Sequence, residues 1–192
     1  MTNDYYQHHA KAFFDGTVSV DMTSLYESFT HHLAPGARVL DAGCGSGRDA
    51  KAFHKMGYQV EAFDASSAMV LLAQQHTGLP VRQMSFVDID VQQRYDGIWC
   101  CASLLHVPAS DLHEVMRKLT HALKPGGVCY VSFKYGDGER EKDGRRFTDM
   151  NERSFAALLK NNSAIEAVEQ WLTQDKRPDR DETWLNAVLR RV

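Results

Sequence analysis

A glycine-rich segment between an apolar run and a helix-like run constrains the fold of this chain more than any other feature. The segment, Asp41-Ala42-Gly43-Cys44-Gly45-Ser46-Gly47, follows the apolar run Ala37 to Leu40 and precedes a helical pattern over residues 48–56. A helix start presents unpaired backbone N–H groups and a partial positive charge, and glycines let a ligand approach that backbone closely. The segment predicts a nucleotide-like cofactor site, with an ordinary strand-to-helix turn as the alternative.

The spacing and the charge of this loop narrow the choice of cofactor. The dinucleotide fingerprint requires a third glycine where Arg48 stands, and the three loop glycines here alternate along the chain instead. Asp41 ends the predicted strand, where a carboxylate repels a pyrophosphate and suits ammonium and sulfonium groups. S-adenosylmethionine carries both groups. Asp64 ends the next predicted strand about 20 residues later, where an acid commonly accepts hydrogen bonds from ribose hydroxyls.

Four segments in this order resemble the motifs of the class I S-adenosylmethionine-dependent methyltransferases. They are Val39 to Gly47, Val60 to Ser66, Tyr95 to Cys100 and Leu123 to Gly127. The resemblance implies an α/β fold of the Rossmann-like, doubly wound type, with a mostly parallel seven-stranded sheet, one antiparallel strand and helices on both faces. It also implies an enzyme that uses S-adenosyl-L-methionine and releases S-adenosyl-L-homocysteine.

A narrower resemblance concerns the methyl acceptor. The aromatic N-terminal arm, the Ala-Gly-Cys-Gly-Ser-Gly-Arg-Asp loop and the compact length are similar to those of the small tellurite-resistance methyltransferases. This similarity implies a small-molecule acceptor, including a soft or metalloid oxyanion such as tellurite. The acceptor itself, the need for a general base, the oligomeric state (monomer or homodimer) and the pathway stay open at the level of sequence.

The predicted strands define where ligand contacts should cluster, because ligands of such sheets lie beyond the carboxyl ends of the strands. The pattern predicts strands at Arg38 to Ala42, Gln59 to Phe63, Val81 to Met84, Gly97 to Cys101 and Val128 to Phe133, and a C-terminal pair at Ala167 to Thr173 and Thr183 to Leu189. The charged segment Asp175 to Asp181 between that pair is predicted to be a solvated hairpin tip.

The cofactor-binding candidates combine these strand ends with the resemblance. Phe86 follows the third strand, where the resemblance places contacts to the adenine, and its ring either stacks on the base or packs in the core. Tyr6 belongs to the aromatic N-terminal arm, which either covers the cofactor as a lid or docks as an amphipathic helix. The expected cofactor contacts are Asp41, Gly43, Cys44, Gly45, Gly47, Arg48, Asp64, Ala65, Ser85, Phe86, Cys101 and Tyr6.

Three residues are candidates for catalysis. His106 follows the fourth strand, and its imidazole titrates near neutral pH, so it either acts as a general base or has a structural, cofactor-proximal role. Residues 134–150 have the composition of a loop on the substrate side, in which Arg140 and Arg145 can bind an anionic substrate or orient an oxyanion. Nearby acids offset these cations, so a solvated surface loop is the alternative. No metal site is predicted, because His8 and His9 are adjacent rather than at ligand spacing.

Composition sets the remaining expectations. The chain is expected to be one domain over residues 1–192, with a helical arm at 1–33, a cofactor-binding core at 37–133 and the substrate-side loop at 134–150. A net charge of −3 argues against extended nucleic-acid binding. No apolar run reaches the ~20 residues that span a bilayer, and the start lacks the pattern of a secretory signal, so we expect a cytoplasmic protein.

Alternatives to a small-molecule methyltransferase remain. The acceptor can instead be a macromolecule, or the domain can bind the cofactor without catalysis. A dehydrogenase fits the loop least well. Methyltransferases that act on planar amines tend to carry an Asn/Asp-Pro-Pro-aromatic motif after the fourth strand. This chain has Cys100 to Ser103 at that position instead, so the resemblance disfavours methylation of nucleobases and amides.

Overall fold

Helices alternate with strands along the chain, and seven of the strands form the central sheet. The computed structural model describes residues 2–177 and 180–192. The strands are β1 (Arg38–Ala42), β2 (Gln59–Asp64), β3 (Val81–Gln83), β4 (Tyr95–Cys100), β5 (Leu123–Lys134), β6 (Gly138–Lys142), β7 (Arg145–Asp149), β8 (Ile165–Gln174) and β9 (Thr183–Arg191). The sheet order is β3-β2-β1-β4-β5-β9-β8, and β6 and β7 form a separate two-stranded sheet.

Strand direction confirms the expected fold class. Strands β1 to β5 pair in parallel, whereas β9 pairs antiparallel with both β5 and β8. One strand therefore runs against the other six of the sheet. This is the mostly parallel, Rossmann-like arrangement, in which ligands bind beyond the carboxyl ends of the parallel strands.

In the described part of the chain, six α-helices connect and cover the strands. They are α1 (Thr2–Thr17), α2 (Thr23–Thr30), α3 (Arg48–Lys55), α4 (Ser67–Thr77), α5 (Ala109–Ala122) and α6 (Glu152–Lys160). The Ser66 side chain caps α4 by accepting the Met69 N–H, and Gly78 ends that helix at φ +73°, a conformation that glycine adopts without strain. None of the described helices is both long and apolar enough to cross a bilayer.

Successive residues of β1 supply two cores on opposite faces of the sheet, since side chains alternate along a strand. Leu40 packs with the buried apolar stripe of α5, which consists of Leu112, Val115, Met116 and Leu119. Val39 packs on the other face, in an aromatic cluster that contains Tyr26, Phe29, Phe53, Trp99 and Tyr130. Full burial of one such side chain stabilises the fold by about 1.5–3 kcal/mol, so these cores hold the parallel strands in place.

The segment 134–150 is the main departure from the predicted organisation. It was expected as a loop, but β6 and β7 form an antiparallel hairpin within it. Asp143 and Gly144 make the turn, with φ values of +53° and +72°, as in the two-residue Asp-Gly turn whose twist matches that of paired strands. The charged residues that flank this turn obscured the hairpin in the sequence, because they lack a clear apolar alternation.

The C-terminal strands agree with the predicted pair, although β8 and β9 extend further than expected. Of the charged segment between them, Pro178 and Asp179 lie outside the described residues. Helix α6 was not predicted; Asn151 caps it by accepting the Ser154 N–H. The four cysteines are free thiols.

Candidate active site

A cleft opens beyond the carboxyl ends of β1, β4 and β5. The glycine loop after β1 forms one end, and helix α1 crosses it with Tyr6 and Phe13. The other end is bordered by the short 3-10 turn Leu104–His106 after β4, by the β6–β7 hairpin and by the chain between β8 and β9. Of the predicted site residues, those that line this cleft are Tyr6, Gly43, Cys44, Gly45, Arg48, Cys101, His106 and Arg145.

The glycine loop has no room for side chains at its closest contacts. Gly43 lies at φ +75°, and a Cβ there would stand 2.6 Å from the Ser103 Cβ. Gly45 lies at φ +52°, and its Cβ would be 3.3 Å from the Phe13 ring. Gly47 precedes α3 at φ +75°, and its Cβ would be 2.7 Å from Thr77. The glycines are therefore required both by backbone conformation and by the close approach of neighbouring elements.

Asp49 anchors the helix that follows this loop, although sequence reasoning did not select it. Its carboxylate accepts hydrogen bonds from the Tyr26 hydroxyl at 2.6 Å, Arg48 Nε at 2.6 Å and Trp99 Nε1 at 2.8 Å. Burial opposes ionisation, but the Arg48 charge and these hydrogen bonds outweigh it and lower the pKa of Asp49. The sequence signal that could have identified Asp49 is an acidic residue in the first turn of a helix, here α3.

Asp41 has a different environment from the one expected of a cofactor ligand. It is buried beneath the loop, and its carboxylate accepts the Ala50 N–H at 2.9 Å. Burial and the nearby Asp49 charge raise its pKa well above the usual range. In this structure Asp41 holds the first turn of α3 and does not line the cleft.

Asp64 links the glycine loop to the start of α4. Its two carboxylate oxygens accept the Gly45 N–H and the Ser66 N–H, each at 2.9 Å. Burial raises the pKa of Asp64, and these backbone hydrogen bonds partly offset the increase. Ala65 is the next residue after Asp64. Helix α1 contacts the start of α4, because the Gln7 side chain accepts hydrogen bonds from the hydroxyls of Ser66 and Ser67.

The segment after β3 lies beside the loop rather than in the cleft. The Ser85 hydroxyl and N–H both donate to Asp88, which fixes a short 3-10 turn. The Phe86 ring packs edge-on against Phe63, with centroids 5.4 Å apart, and faces the backbone of Gly43. Contacts from Ser85 and Phe86 to an adenine therefore stay a prediction.

The two cleft cysteines are not activated nucleophiles. Burial raises the pKa of the Cys101 thiol to about 12 and that of the Cys44 thiol well above its usual range. Because the thiolate is the reactive form, both side chains act as small packing groups at neutral pH.

His106 and Tyr6 form a hydrogen-bonded pair between the 3-10 turn and α1. The Arg146 carbonyl can only accept, so His106 Nδ1–H donates to it at 2.7 Å, and Nε2 then accepts the Tyr6 hydroxyl at 2.8 Å. Burial lowers the pKa of His106 from 6.5 to about 4 and raises that of Tyr6 to about 12. Both groups are neutral at physiological pH, and both residues line the cleft.

Of the two predicted arginines of the hairpin, only one lines the cleft. Arg145 lines the cleft, with its guanidinium 4.2 Å from the Tyr5 ring centroid. Arg140 instead forms an ion pair with Asp149 and lies over the Phe147 ring, outside the cleft lining. The register places both arginines on one face of the hairpin, since Arg140 opposes Phe147 and Lys142 opposes Arg145. The ion pair with Asp149, which the sequence analysis did not foresee, holds Arg140 away from the cleft.

Trp184 and Lys142 are cleft residues that the sequence analysis missed. Each is contributed by a segment distant from the glycine loop, one by β9 and one by β6. Their positions depend on strand register, so no local motif could have identified them.

A group of potential metal ligands lies away from the cleft. His31 and His32 Nε2 atoms stand 3.1 and 2.8 Å from a Glu169 carboxylate oxygen. Arg190 donates to His32 Nδ1 at 3.1 Å, so Nε2 of that ring carries the proton and donates to Glu169. This hydrogen bonding satisfies His32 without an ion.

Comparison with known proteins bears on the same region. Residues 39–127 match a family described as a methyltransferase domain. A ubiquinone biosynthesis O-methyltransferase of Xanthomonas campestris is 36% identical over 105 residues, which cover 51% of this chain and 43% of that relative. The chain thus spans less than half the length of this curated relative.

Solved structures share the fold across almost the whole chain. The 1,6-didemethyltoxoflavin-N1-methyltransferase of Burkholderia thailandensis, solved with S-adenosylhomocysteine, has a TM-score of 0.78 at 24% identity and covers 98% of this chain and 84% of its own. A methyltransferase of Methanosarcina mazei has a TM-score of 0.76 at 15% identity, covering 90% and 99% respectively. The [4+2]-cyclase SpnF has a TM-score of 0.74 at 16% identity, covering 100% and 96%. The shared fold therefore does not identify the reaction.

Replacing Asp64 by alanine tests its predicted contact to the cofactor ribose. We expect affinity for S-adenosylhomocysteine, measured by calorimetry, to fall roughly 10- to 100-fold, because a charged hydrogen bond contributes about 1.5–3 kcal/mol. The exposed Asp90→Ala is the control and should bind like the unmodified protein. Unchanged affinity in Asp64→Ala would remove the ribose assignment.

The depressed pKa of His106 predicts a pH-dependent loss of stability. Below pH 6.5 the unfolded chain protonates this imidazole, whereas the folded protein keeps it neutral until about pH 4, so stability falls as pH decreases through this window. Urea unfolding at pH 7 and pH 5 should show a smaller decrease in His106→Gln than in the unmodified protein. His113→Gln, at an exposed position, should retain the full decrease; equal decreases in all three proteins would contradict the burial argument.

Proposed function

We propose that this chain, a class I S-adenosylmethionine-dependent methyltransferase by its domain and its fold, transfers the methyl group to an oxygen atom of a small molecule. The observation that carries the proposal is the Tyr6–His106 pair, which places a neutral imidazole nitrogen in the same cleft as the glycine loop. Helix α1, the β6–β7 hairpin and the chain between β8 and β9 border that cleft, which favours a small acceptor over a macromolecule.

The loop after β1 fits the proposed cofactor. Gly43, Cys44 and Gly45 line the cleft immediately before the start of α3. Asp64 holds the loop from the β2 side and is the residue proposed to accept the ribose hydroxyls. Bound there, the cofactor supplies an already activated methyl group on a sulfonium. The protein then has to position the acceptor and manage its proton.

The proposed reaction is an in-line displacement. A lone pair of the acceptor oxygen forms the new bond to the methyl carbon while the carbon–sulfur bond breaks, and its electron pair stays on the departing thioether. Holding the acceptor in this line supplies several kcal/mol through proximity and orientation. The proton of the acceptor hydroxyl passes to the Tyr6 oxygen, while Tyr6 gives its own hydroxyl proton to His106 Nε2 along the hydrogen bond that joins them.

The backbone orients His106 for this task. Donation from Nδ1 to the Arg146 carbonyl fixes the tautomer and leaves Nε2 as the acceptor. The lowered pKa keeps the ring neutral throughout the physiological range and also makes it a weak base. A base of low pKa acts best on an acidic hydroxyl, so a phenol is favoured over an alcohol. The name of the Xanthomonas relative, an O-methyltransferase, supports an oxygen acceptor.

Tellurite differs from a phenol as an acceptor, because its methylation needs no base. The resemblance to tellurite-resistance methyltransferases implies this acceptor, whose tellurium lone pair can attack the methyl carbon without losing a proton. Methylation of tellurite would therefore not require His106 as a base. A phenol and tellurite together separate a role in proton transfer from a role in binding.

The assay measures S-adenosylhomocysteine formed from S-adenosylmethionine with phenols, hydroxybenzoates, thiols, tellurite or selenite. We expect release that depends on a phenolic acceptor, and a decrease in kcat of roughly 10²- to 10⁴-fold in His106→Gln because general-base catalysis is lost. Any turnover of tellurite should be unchanged in His106→Gln, and His113→Gln should match the unmodified protein for every acceptor.

Two results would contradict the proposal. Cofactor binding without acceptor-dependent release would favour a macromolecular acceptor or a non-catalytic binding domain. Full phenol turnover in His106→Gln would remove the histidine from proton transfer.

A further inference from the structure

The acceptor end of the cleft is rich in positive charge. Among the described residues, its cationic side chains are Lys134, Lys142, Arg145, Lys176, Arg177 and Arg180. Some cations of the lining are already ion-paired: Arg48 with Asp49 beneath the glycine loop, Arg177 with Asp175, and Lys134 with Glu182, which lies outside the lining. Lys142 and Arg145 have no such short ion pair in the described part of the chain. Because the chain as a whole has a net charge of −3, this excess is local and favours an anionic ligand.

Lys142 and Arg145 place like charges opposite each other. These residues form the last cross-strand pair of the β6–β7 hairpin, directly flanking its Asp143-Gly144 turn. Like charges at directly opposed positions destabilise an antiparallel pair. Both side chains also line the cleft, so an anion bound between them would relieve the repulsion.

Arg145 has unused hydrogen-bonding capacity at this point. Its Nε is buried and has no hydrogen-bond partner among the described residues, and its ion pair with Asp143 is long, at 3.5 Å. Asp143 is mostly exposed, which weakens that pair further. A guanidinium presents donors in a planar fork that matches the two oxygens of a carboxylate.

Aromatic rings surround the same guanidinium. Its carbon lies 4.2 Å from the Tyr5 ring centroid and 5.3 Å from that of Phe147, and it influences the hydroxyl of Tyr6 through a hydrogen bond. Phe147, Trp184 and Tyr6 all line the cleft. Flat apolar walls beside a cationic fork suit a planar ring that carries a carboxylate.

We propose that Lys142 and Arg145 bind the carboxylate of an aromatic hydroxy acid, with the aromatic ring lying against Trp184. Seated in this way, the acid presents its hydroxyl towards the Tyr6–His106 pair. The inference rests on the proposed function for the identity of the methylated atom, whereas the anion site itself is independent of turnover.

Binding of matched acids and amides to the full chain, saturated with S-adenosylhomocysteine, tests the anion site. Calorimetry would compare 2-, 3- and 4-hydroxybenzoate with the corresponding hydroxybenzamides, which keep the ring and the hydroxyl but lack the charge. We expect at least one acid to bind roughly 10- to 100-fold more tightly than its amide, because a hydrogen bond to a charged group is lost in the amide. This preference should shrink as salt screens the charges.

Single substitutions locate the preference. Arg145→Gln and Lys142→Gln should each reduce the acid-to-amide ratio, and Arg145→Lys should restore it only partly, since an ammonium lacks the planar fork. Lys142 is exposed on the hairpin, so its replacement leaves the core intact. Arg117→Gln, on the exposed face of α5, is the matched control and should keep the full ratio.

Equal binding of acids and amides, a ratio unchanged in Arg145→Gln and Lys142→Gln, or failure of every acid to bind would each overturn the anion site. Tight and selective binding of an acid without its methylation would support the anion site and count against the proposed function instead.

Discussion

The buried carboxylate of Asp49 is the interaction on which the architecture of the cleft depends. It joins Tyr26 of α2, Arg48 of α3 and Trp99 of β4 beneath the glycine loop. Trp99 in turn stacks on Tyr130 of β5, with centroids 3.9 Å apart. Breaking a buried ion pair costs about 3–5 kcal/mol, because the remaining charge is left uncompensated. The residues beneath the glycine loop are therefore held in place before any ligand binds.

Helix α1 connects the two ends of this preformed site. Near one end, Gln7 accepts hydrogen bonds from the start of α4, and the Thr17 carbonyl accepts Arg48 Nη1 at 3.3 Å. At the other end, Tyr6 donates to His106, and Thr2 accepts the Arg146 N–H at 2.9 Å. One helix thus contacts the glycine loop, the proposed base and the hairpin that carries the proposed anion site. The same contacts make α1 a sensitive reporter of ligand binding.

Sequence reasoning reached the parts of this site that depend on local chemistry. The glycine loop and the histidine after β4 follow apolar strands that burial makes recognisable, the acid Asp64 ends β2, and β1 spans Arg38–Ala42 as predicted. Sequence reasoning could not identify the residues at the acceptor end of the cleft in this way. Lys142 and Trp184 meet there only through strand register, while the roles of Asp41 and Asp49 depend on which carboxylate the fold buries beside Arg48. The Asp143-Gly144 turn was a local signal that the surrounding charges hid.

Hydrogen–deuterium exchange with and without S-adenosylhomocysteine tests most directly whether this cleft is the cofactor site. The account predicts slower exchange in the glycine loop, at residues 43–47, and in α1, with little change in α6, which lies outside the cleft lining. Binding that leaves both the loop and α1 unchanged, or that protects a different part of the chain, would contradict it.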